Sequence, residues 1–202
     1  MKTASIPAST HNYTKGRGGK RVTRIVVHVQ DGTQAGSISW FQNPASNVSA
    51  HYLISMAGDV VQMVDEADSA WHAGNWDVNQ TSIGIEHEGQ PSKGAWSPTR
   101  MQLQASIDLV AELCARHGIT PGAQTIIPHS QINPAHRCPG PTWPWAAYLE
   151  TIQAKVSPPP AHTPGTGKQT LKLFDPATNA QVGTVSLILG TDKCYLVPAP
   201  KP

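Results

Sequence analysis

Short apolar runs separated by turn signals predict the strands of this chain. The runs are residues 24–30, 50–56, 60–64, 81–89 and 126–127. The first run is β-branched, is apolar on both faces and ends at the turn signal Asp31-Gly32, which is typical of a buried strand. The second and third runs are joined across Ala57-Gly58-Asp59 and therefore predict a hairpin.

The longest helix is predicted by apolar residues that recur at a spacing of about 3.6. These residues are Leu103, Ile107, Val110 and Cys114. Ser97-Pro98 is the candidate start, with serine as the N-cap, and Gly118 is expected to end the helix. Cys114 lies on the apolar stripe and is expected to be a small core residue. Shorter helices are predicted over 37–43 and 143–155.

Composition divides the 202 residues into four segments. Residues 1–20 are polar and basic, and we expect either a solvated, partly mobile leader or a basic arm that touches polymers or lipid. Residues 21–155 hold the periodic elements of the main domain. Residues 156–168 are rich in proline and glycine, as a linker is. Residues 169–202 carry alternating apolar runs that predict a small three-stranded β meander.

Charge and composition exclude several classes of protein. The net charge of +2 and the pI near 8.5 are too mild to argue for nucleic-acid binding. No stretch approaches the roughly 18 apolar residues that a membrane span needs, and the first residues lack the apolar core of a signal peptide. The three cysteines are an odd number, which disfavours a disulfide framework. We therefore expect a protein made in the cytoplasm, with a monomer as the favoured state.

One loop, which follows the strand at 126–127, concentrates side chains that can bind a metal. His129 and Cys138 lie nine positions apart in it, which is too long for a compact zinc knuckle, so a third ligand must come from elsewhere. His28, near the end of the first strand, is the candidate. Two imidazoles and one thiolate leave the fourth position of zinc open, as in catalytic sites. Alternatively, His28 is a satisfied core residue, His129 is a surface residue and Cys138 is a buried free thiol.

Separate blocks along the chain carry a more specific signal. They are Val26–His28, Phe41–Pro44, Val48–Ile54, Ala70–Asn75, Ser82–Glu86, His129-Ser130 and Cys138–Gly140. Over about residues 20–150, these blocks resemble the zinc-dependent N-acetylmuramoyl-L-alanine amidases. That family includes phage lysozymes of the T7 type, cytoplasmic muropeptide-recycling amidases and animal peptidoglycan-recognition proteins. The resemblance implies an α/β fold, with a mixed central β-sheet flanked by helices, to which the β-rich C-terminal segment is appended.

The resemblance also implies a reaction, the hydrolysis of the amide between N-acetylmuramic acid and the L-alanine of the peptidoglycan stem peptide. It assigns one zinc ion to His28, His129 and Cys138. Glu86 occupies the place of the glutamate that activates the attacking water in the recycling amidases, and its alternative is an exposed edge residue. His136 stands where the family often carries lysine or threonine aimed at the developing oxyanion. An imidazole that is protonated or donates its N–H can serve there; the alternative is a surface residue that flanks Cys138.

A substrate cleft over the strand ends is a further implication of the resemblance. His51 is expected either to line its wall or to be a buried structural histidine. Trp71 and His72 are expected to form a platform for sugar or peptide, with His72 and Asn75 as hydrogen-bonding groups. Alternatively, this aromatic segment is a loop that packs its indoles on the core.

Three functions stay open on the sequence. A phage endolysin is favoured over a cytoplasmic recycling amidase, because a soluble muropeptide needs no linker and no appendage. A non-catalytic peptidoglycan-binding protein is the third, although relatives of that kind commonly lack the zinc-binding cysteine. The expected partner is bacterial peptidoglycan, and an endolysin acts on the wall after its release from the cytoplasm. The segment 169–202 is then expected to dock on the main domain, self-associate or bind wall polymer.

Overall fold

A computed structural model describes residues 3–93, 96–156, 168–174, 181–189 and 194–198. Its strands and helices in chain order are β1 (Thr3–Ser5), β2 (Tyr13–Thr14), β3 (Arg24–Val29), α1 (Gln34–Gln42), β4 (Tyr52–Ile54), β5 (Val60–Gln62), β6 (Ser69–Ala70), α2 (Trp76–Thr81), β7 (Ser82–His87), α3 (Arg100–His117), β8 (Ile126–Pro128), α4 (Trp145–Val156), β9 (Lys168–Phe174), β10 (Gln181–Leu189) and β11 (Cys194–Pro198). The chain divides into two compact units, Met1–Ser157 and Pro158–Pro202. Residues 157–167 of the predicted linker lie outside the described residues.

The central sheet is mixed. Among the described residues its strand order is β1-β5-β4-β7-β3-β8. β3 pairs in parallel with both β7 and β8, whereas β4 and β5 form the antiparallel hairpin. All five residues from Ile25 to Val29 are buried, as expected for a strand between two parallel neighbours with both faces covered. The predicted fold class and the predicted hairpin are therefore confirmed.

Apolar side chains fill both faces of this sheet. Ile25, Val27 and Ile85 belong to one buried cluster with Leu113 of α3 and Tyr148 of α4. On the opposite face, a second cluster joins the apolar side chains of Phe41, Leu53 and Val61. Successive side chains of a strand point to opposite faces of the sheet. In β4, Tyr52 and Ile54 accordingly belong to the first cluster and Leu53 to the second. The central strands are therefore buried on both sides.

The ends of α3 follow local capping chemistry. The prediction that Ser97 caps this helix is wrong: the N-cap is Thr99, whose side chain accepts the N–H of Gln102 and donates to the Met56 carbonyl. Gly118 ends the helix in the left-handed conformation with φ 66°, as predicted. Cys114, on the apolar stripe, is buried in the core, which was also predicted. None of the helices in the described ranges is long and apolar enough to cross a membrane.

The N-terminal segment is part of the fold, so the prediction of a solvated leader is wrong for the described residues 3–20. β1 extends the central sheet by pairing in parallel with β5. Asn12 is fully buried and donates to the carbonyls of Phe41 and Asn43. Arg17 is buried and donates to the carbonyls of Glu66, Asn79, Gln80 and Ser82. The polar composition of this segment satisfies backbone groups of the domain, which the pattern of charges alone does not reveal.

The second unit contains a small antiparallel sheet. Its order is β11-β10-β9, and both pairings involve β10. The register of β10 against β9 shifts between Gln181 and Gly183, which marks a bulge. The predicted three-stranded meander is confirmed.

Candidate active site

The strand register brings the candidate residues to one edge of the sheet. His28 of β3 pairs with Glu86 of β7, and Val27 pairs with Pro128 of β8. His129 directly follows β8 in a short 3-10 turn. Since the C-terminal ends of parallel strands open on the same edge, these side chains meet although they lie far apart in sequence.

Three of these side chains have the geometry of a tetrahedral metal site. Their possible ligand atoms all lie within 4.8 Å of one another. Cys138 Sγ is 3.7 Å from His28 Nδ1 and 3.5 Å from His129 Nδ1. For zinc, bond lengths of about 2.0–2.1 Å to nitrogen and about 2.3 Å to sulfur imply N···S separations of roughly 3.6 Å at a tetrahedral angle. The two histidines and the cysteine therefore fit zinc, and three protein ligands leave one position open.

The protonation states of the ligands also suit a cation. Burial lowers the pKa of His28 well below its usual value, with neighbouring histidines acting in the same direction. Burial likewise lowers the pKa of His129, so both rings are neutral and keep a lone pair. Burial, together with the Glu86 carboxylate, raises the pKa of the Cys138 thiol to about 12. Because only the thiolate binds a metal, the Cys138 thiol is expected to lose its proton when a cation binds.

Glu86 lies beside the three ligands. Its Oε1 is 3.9 Å from His28 Nδ1, and its side chain is 15% exposed. Its buried Oε2 has no hydrogen-bond partner among the described residues. Burial raises the pKa of this carboxyl to about 8. A carboxylate that is not engaged elsewhere and titrates near neutrality has the properties of a general base.

His136 lies on the other side of His129. The two rings are stacked, with centroids 4.7 Å apart and planes inclined by 15°. His136 is exposed and lines the same cavity as Glu86 and the three ligands. Its imidazole can therefore meet a substrate at the metal centre, which is compatible with the predicted oxyanion role.

The cavity above the candidate metal centre has a volume of about 780 Å³. Trp71 and His72, the residues of the predicted platform, are among its lining residues, but both ring nitrogens of His72 contact protein atoms, namely His28 Nε2 and Ser82 Oγ. Trp71 is half-buried and is oriented by its indole N–H, which donates to Thr14. Phe41, Val48 and the Pro139–Pro141 segment add apolar surface. A cavity with a few polar groups on apolar walls is typical of a ligand site.

Two predicted substrate-binding residues lie elsewhere. His51 is fully buried, its Nδ1 accepts the Gly84 N–H, and Arg17 contacts its Nε2. The structure therefore supports the alternative of a buried structural histidine. Asn75 is exposed, but its side chain accepts the Val78 N–H and caps α2, a helix that the sequence patterns did not predict. Neither residue lines the cavity.

His87 belongs to a buried network behind the site. Its Nδ1 donates to the His28 carbonyl, and its Nε2 accepts from Ser106. Ser106 in turn lies 2.7 Å from the Tyr148 hydroxyl. The network ties the backbone of His28 to α3 and α4. A serine and a tyrosine separated by 42 positions carry no sequence signal that would link them to His28.

Comparisons with known proteins identify the family of this chain. The family model described as N-acetylmuramoyl-L-alanine amidase matches residues 18–141. N-acetylmuramoyl-L-alanine amidase A of Achromobacter lyticus is 38% identical over 166 residues, which cover 72% of this chain and 90% of that protein. 1,6-Anhydro-N-acetylmuramyl-L-alanine amidase AmpD of Escherichia coli (strain K12) is 33% identical over 121 residues, or 54% of this chain and 61% of that protein.

The solved structures include the amidase AmiD of E. coli in complex with its substrate, anhydro-N-acetylmuramic acid-L-Ala-D-gamma-Glu-L-Lys. It superposes with a TM-score of 0.58 and 29% identity, covering 65% of this chain and 57% of that one. The family match and the relative from A. lyticus both span more than half of this chain, and the family match includes His28, Glu86, His129 and Cys138. The chain therefore belongs to the family of N-acetylmuramoyl-L-alanine amidases and is a peptidoglycan amidase.

Proposed function

We propose that this chain is a zinc-dependent amidase that cleaves the bond between N-acetylmuramic acid and L-alanine in the intact bacterial wall, as a phage endolysin does. The observation that carries the zinc assignment is the spacing of His28, His129 and Cys138, with N···S distances of 3.5 and 3.7 Å. Zinc held there supplies a Lewis acid that polarises the scissile carbonyl and lowers the pKa of a water toward neutrality.

Glu86 is the general base of this proposal. Its carboxylate faces the cavity beside His28 and has one oxygen without a partner among the described residues. It takes a proton from the attacking water and returns that proton to the nitrogen of the leaving L-alanine. Glu86 therefore acts as the base when the tetrahedral intermediate forms and as the acid when the intermediate breaks down, so a second acid is not needed.

His136 is proposed as a donor to the developing oxyanion. Its ring stacks on His129, and the stacking holds the imidazole N–H at the rim of the metal centre. A donor preorganised where negative charge develops stabilises the transition state more than the substrate. Trp71 supplies the apolar surface against which a sugar or a peptide side chain packs.

The choice of the wall as substrate rests on the second unit. The strands β9–β11 follow the amidase unit in sequence, and an additional unit is useful to an enzyme that must stay on an insoluble polymer. The rival is recycling of soluble muropeptides, which the similarity to AmpD of E. coli favours. A binding protein without catalysis is disfavoured by the presence of Glu86 together with all three ligands.

One experiment separates these functions. Purified protein is incubated with intact sacculi and, in parallel, with free anhydro-muropeptide, and new α-amino groups of L-alanine are counted in each. The proposal expects new α-amino groups of L-alanine from sacculi without new reducing sugar ends. A chelator should abolish their formation, and added zinc should restore it. Turnover of the anhydro-muropeptide alone would instead establish recycling. Binding to sacculi without any new amino groups would establish the non-catalytic function.

A further inference from the structure

His72 lies behind the metal centre and contacts one of its ligands directly. Its Nδ1 is 3.0 Å from His28 Nε2, and its Nε2 is 3.1 Å from Ser82 Oγ. The side chain of Ser82 is in turn 2.6 Å from the Val78 carbonyl. His72 is 9% exposed and Ser82 is fully buried. The side chains therefore form an unbroken series of contacts from His28 to the Val78 carbonyl in α2.

The donor and acceptor properties of these atoms allow only one direction for the series of hydrogen bonds from His28 to Val78. His28 Nδ1 faces Cys138 Sγ and must offer a lone pair there, so the proton of the neutral ring is on Nε2. That N–H donates to His72 Nδ1, which places the proton of His72 on its own Nε2. The second N–H donates to Ser82 Oγ, and the serine hydroxyl donates to the Val78 carbonyl. Every donor thus meets an acceptor.

Gly84 makes the room for His72. A Cβ atom built on Gly84 would lie 2.4–2.6 Å from three atoms of the His72 ring. Any side chain at this position would push the imidazole out of the chain of hydrogen bonds. The glycine of the Ile83-Gly84-Ile85-Glu86 motif is therefore required by a close approach, which a sequence pattern does not reveal.

We propose that His72 and Ser82 are positioning residues that select Nδ1 of His28 as the metal-binding atom and hold the ring toward Cys138 and His129. The proposal rests on the zinc site proposed above and extends it by naming what orients the ligand. With the opposite tautomer, His28 would present an N–H to the metal and a lone pair to His72. The series of hydrogen bonds that ends at the Val78 carbonyl disfavours this tautomer, because the lone pairs of His28 Nε2 and His72 Nδ1 would then face each other.

Zinc affinity tests this assignment directly. The free zinc concentration is buffered with a chelator at constant pH, and zinc dissociation constants are compared among folded variants. His72→Leu removes the acceptor and should weaken zinc binding roughly 10- to 100-fold, the usual effect of losing such a partner. His72→Gln offers a side-chain oxygen in place of Nδ1 and should recover part of the loss. Ser82→Ala should weaken binding, whereas Ser82→Thr keeps the hydroxyl and should restore it.

Ser69→Ala is the matched control. Ser69 is fully buried and donates to the Gly16 carbonyl at 2.8 Å, so its loss resembles that of Ser82 in stability without touching His28. The zinc affinity of the Ser69→Ala variant should equal that of the parent. An NMR correlation from a protected His28 Nε2–H should be present in the parent and in Ser82→Thr, and should exchange faster in Ser82→Ala.

The outcomes separate this inference from the proposed function. If the parent binds no zinc, the proposed function fails. If the parent binds zinc and both His72→Leu and Ser82→Ala bind it as tightly, only the positioning role is overturned. Should His72→Leu not fold, the pair Ser82→Ala and Ser82→Thr decides alone, because equal zinc affinities and equal exchange of His28 Nε2–H in both would also overturn the role.

Discussion

His28 and Glu86 stand opposite each other in the parallel register of β3 and β7, and His28 Nδ1 lies 3.9 Å from Glu86 Oε1. A proposed ligand and the proposed base are thus neighbours through the backbone pairing of two buried strands. Their separation depends on the sheet and not on a loop. Such a rigid arrangement prepares the geometry of the reaction before substrate arrives.

Glu86→Gln should abolish turnover while preserving the metal site. The amide keeps the volume of the side chain but cannot take a proton, so we expect kcat to fall roughly 10²- to 10⁴-fold, as for a lost general base. The zinc content should remain that of the parent. Peptide release from sacculi and metal analysis of the same preparation measure both quantities.

Glu88→Gln is the control for this variant. Glu88 lies two positions further along the chain, where its carboxylate accepts the N–H groups of Gln34 and Met56. It should keep the parental rate. A Glu86→Gln enzyme that releases peptide at the parental rate would place the base elsewhere.

Cys138→Ser should lose most of the zinc. A serine hydroxyl is a far weaker zinc ligand than a thiolate, and two histidines alone hold the ion poorly. Metal analysis after gel filtration should find about one zinc per chain in the parent and a small fraction of that in the variant. Cys114→Ala removes a buried core cysteine and should keep full occupancy. Full occupancy in Cys138→Ser would contradict the ligand assignment.

The sequence predicted best those features whose residue types occur in few structural settings. Apolar runs predicted the central strands because both of their faces are buried, and the end of the run at 126–127 located the loop that carries His129. It was least informative for His51 and Arg17. Whether a histidine lines a cleft or is buried depends on contacts with residues far away in the chain, and Arg17 meets carbonyls more than 45 positions distant. No local period encodes such contacts.

His136→Ala should reduce kcat roughly 10²- to 10³-fold, the usual cost of one lost oxyanion donor. His136→Lys should recover much of the rate, because lysine can donate from the same position. It should also extend activity toward alkaline pH, since an ammonium keeps its charge to higher pH than an imidazolium does. The pH profile of peptide release measures both effects. Parental rates and profiles in both variants would make His136 a surface residue that merely flanks Cys138.

Arg17→Met should destabilise the amidase unit although Arg17 lies outside the cavity. The substitution removes donors to the buried carbonyls of Asn79, Gln80 and Ser82, and each buried acceptor left unpaired costs about 1–3 kcal/mol. Urea unfolding should therefore show a loss of at least about 2 kcal/mol. Arg21→Met replaces an exposed arginine and should change the free energy of unfolding little. Equal stabilities of the two variants would show that the N-terminal segment contributes no stability through Arg17.

His51 should make the amidase unit less stable in acid. Burial, together with Arg17, lowers the pKa of His51 to about 3 in the folded chain, whereas an unfolded histidine titrates near about 6.5. Between these values the unfolded state binds a proton that the folded state refuses, so the free energy of unfolding falls as the pH falls. One such group contributes a slope of up to about 1.4 kcal/mol per pH unit. Its stabilising contribution is fully present above the unfolded pKa and is lost on acidification down to about pH 3.

His51→Gln should flatten this dependence. Urea unfolding at several pH values between 4 and 6, in the presence of a chelator so that zinc release does not contribute, should show a slope smaller by up to about 1.4 kcal/mol per pH unit than in the parent. Ser69→Ala is again the control, because it removes a buried hydrogen bond without removing a titratable group and should lower stability equally at every pH. A parental slope in His51→Gln would mean that His51 accepts its proton in the folded chain, in conflict with its contact to Arg17.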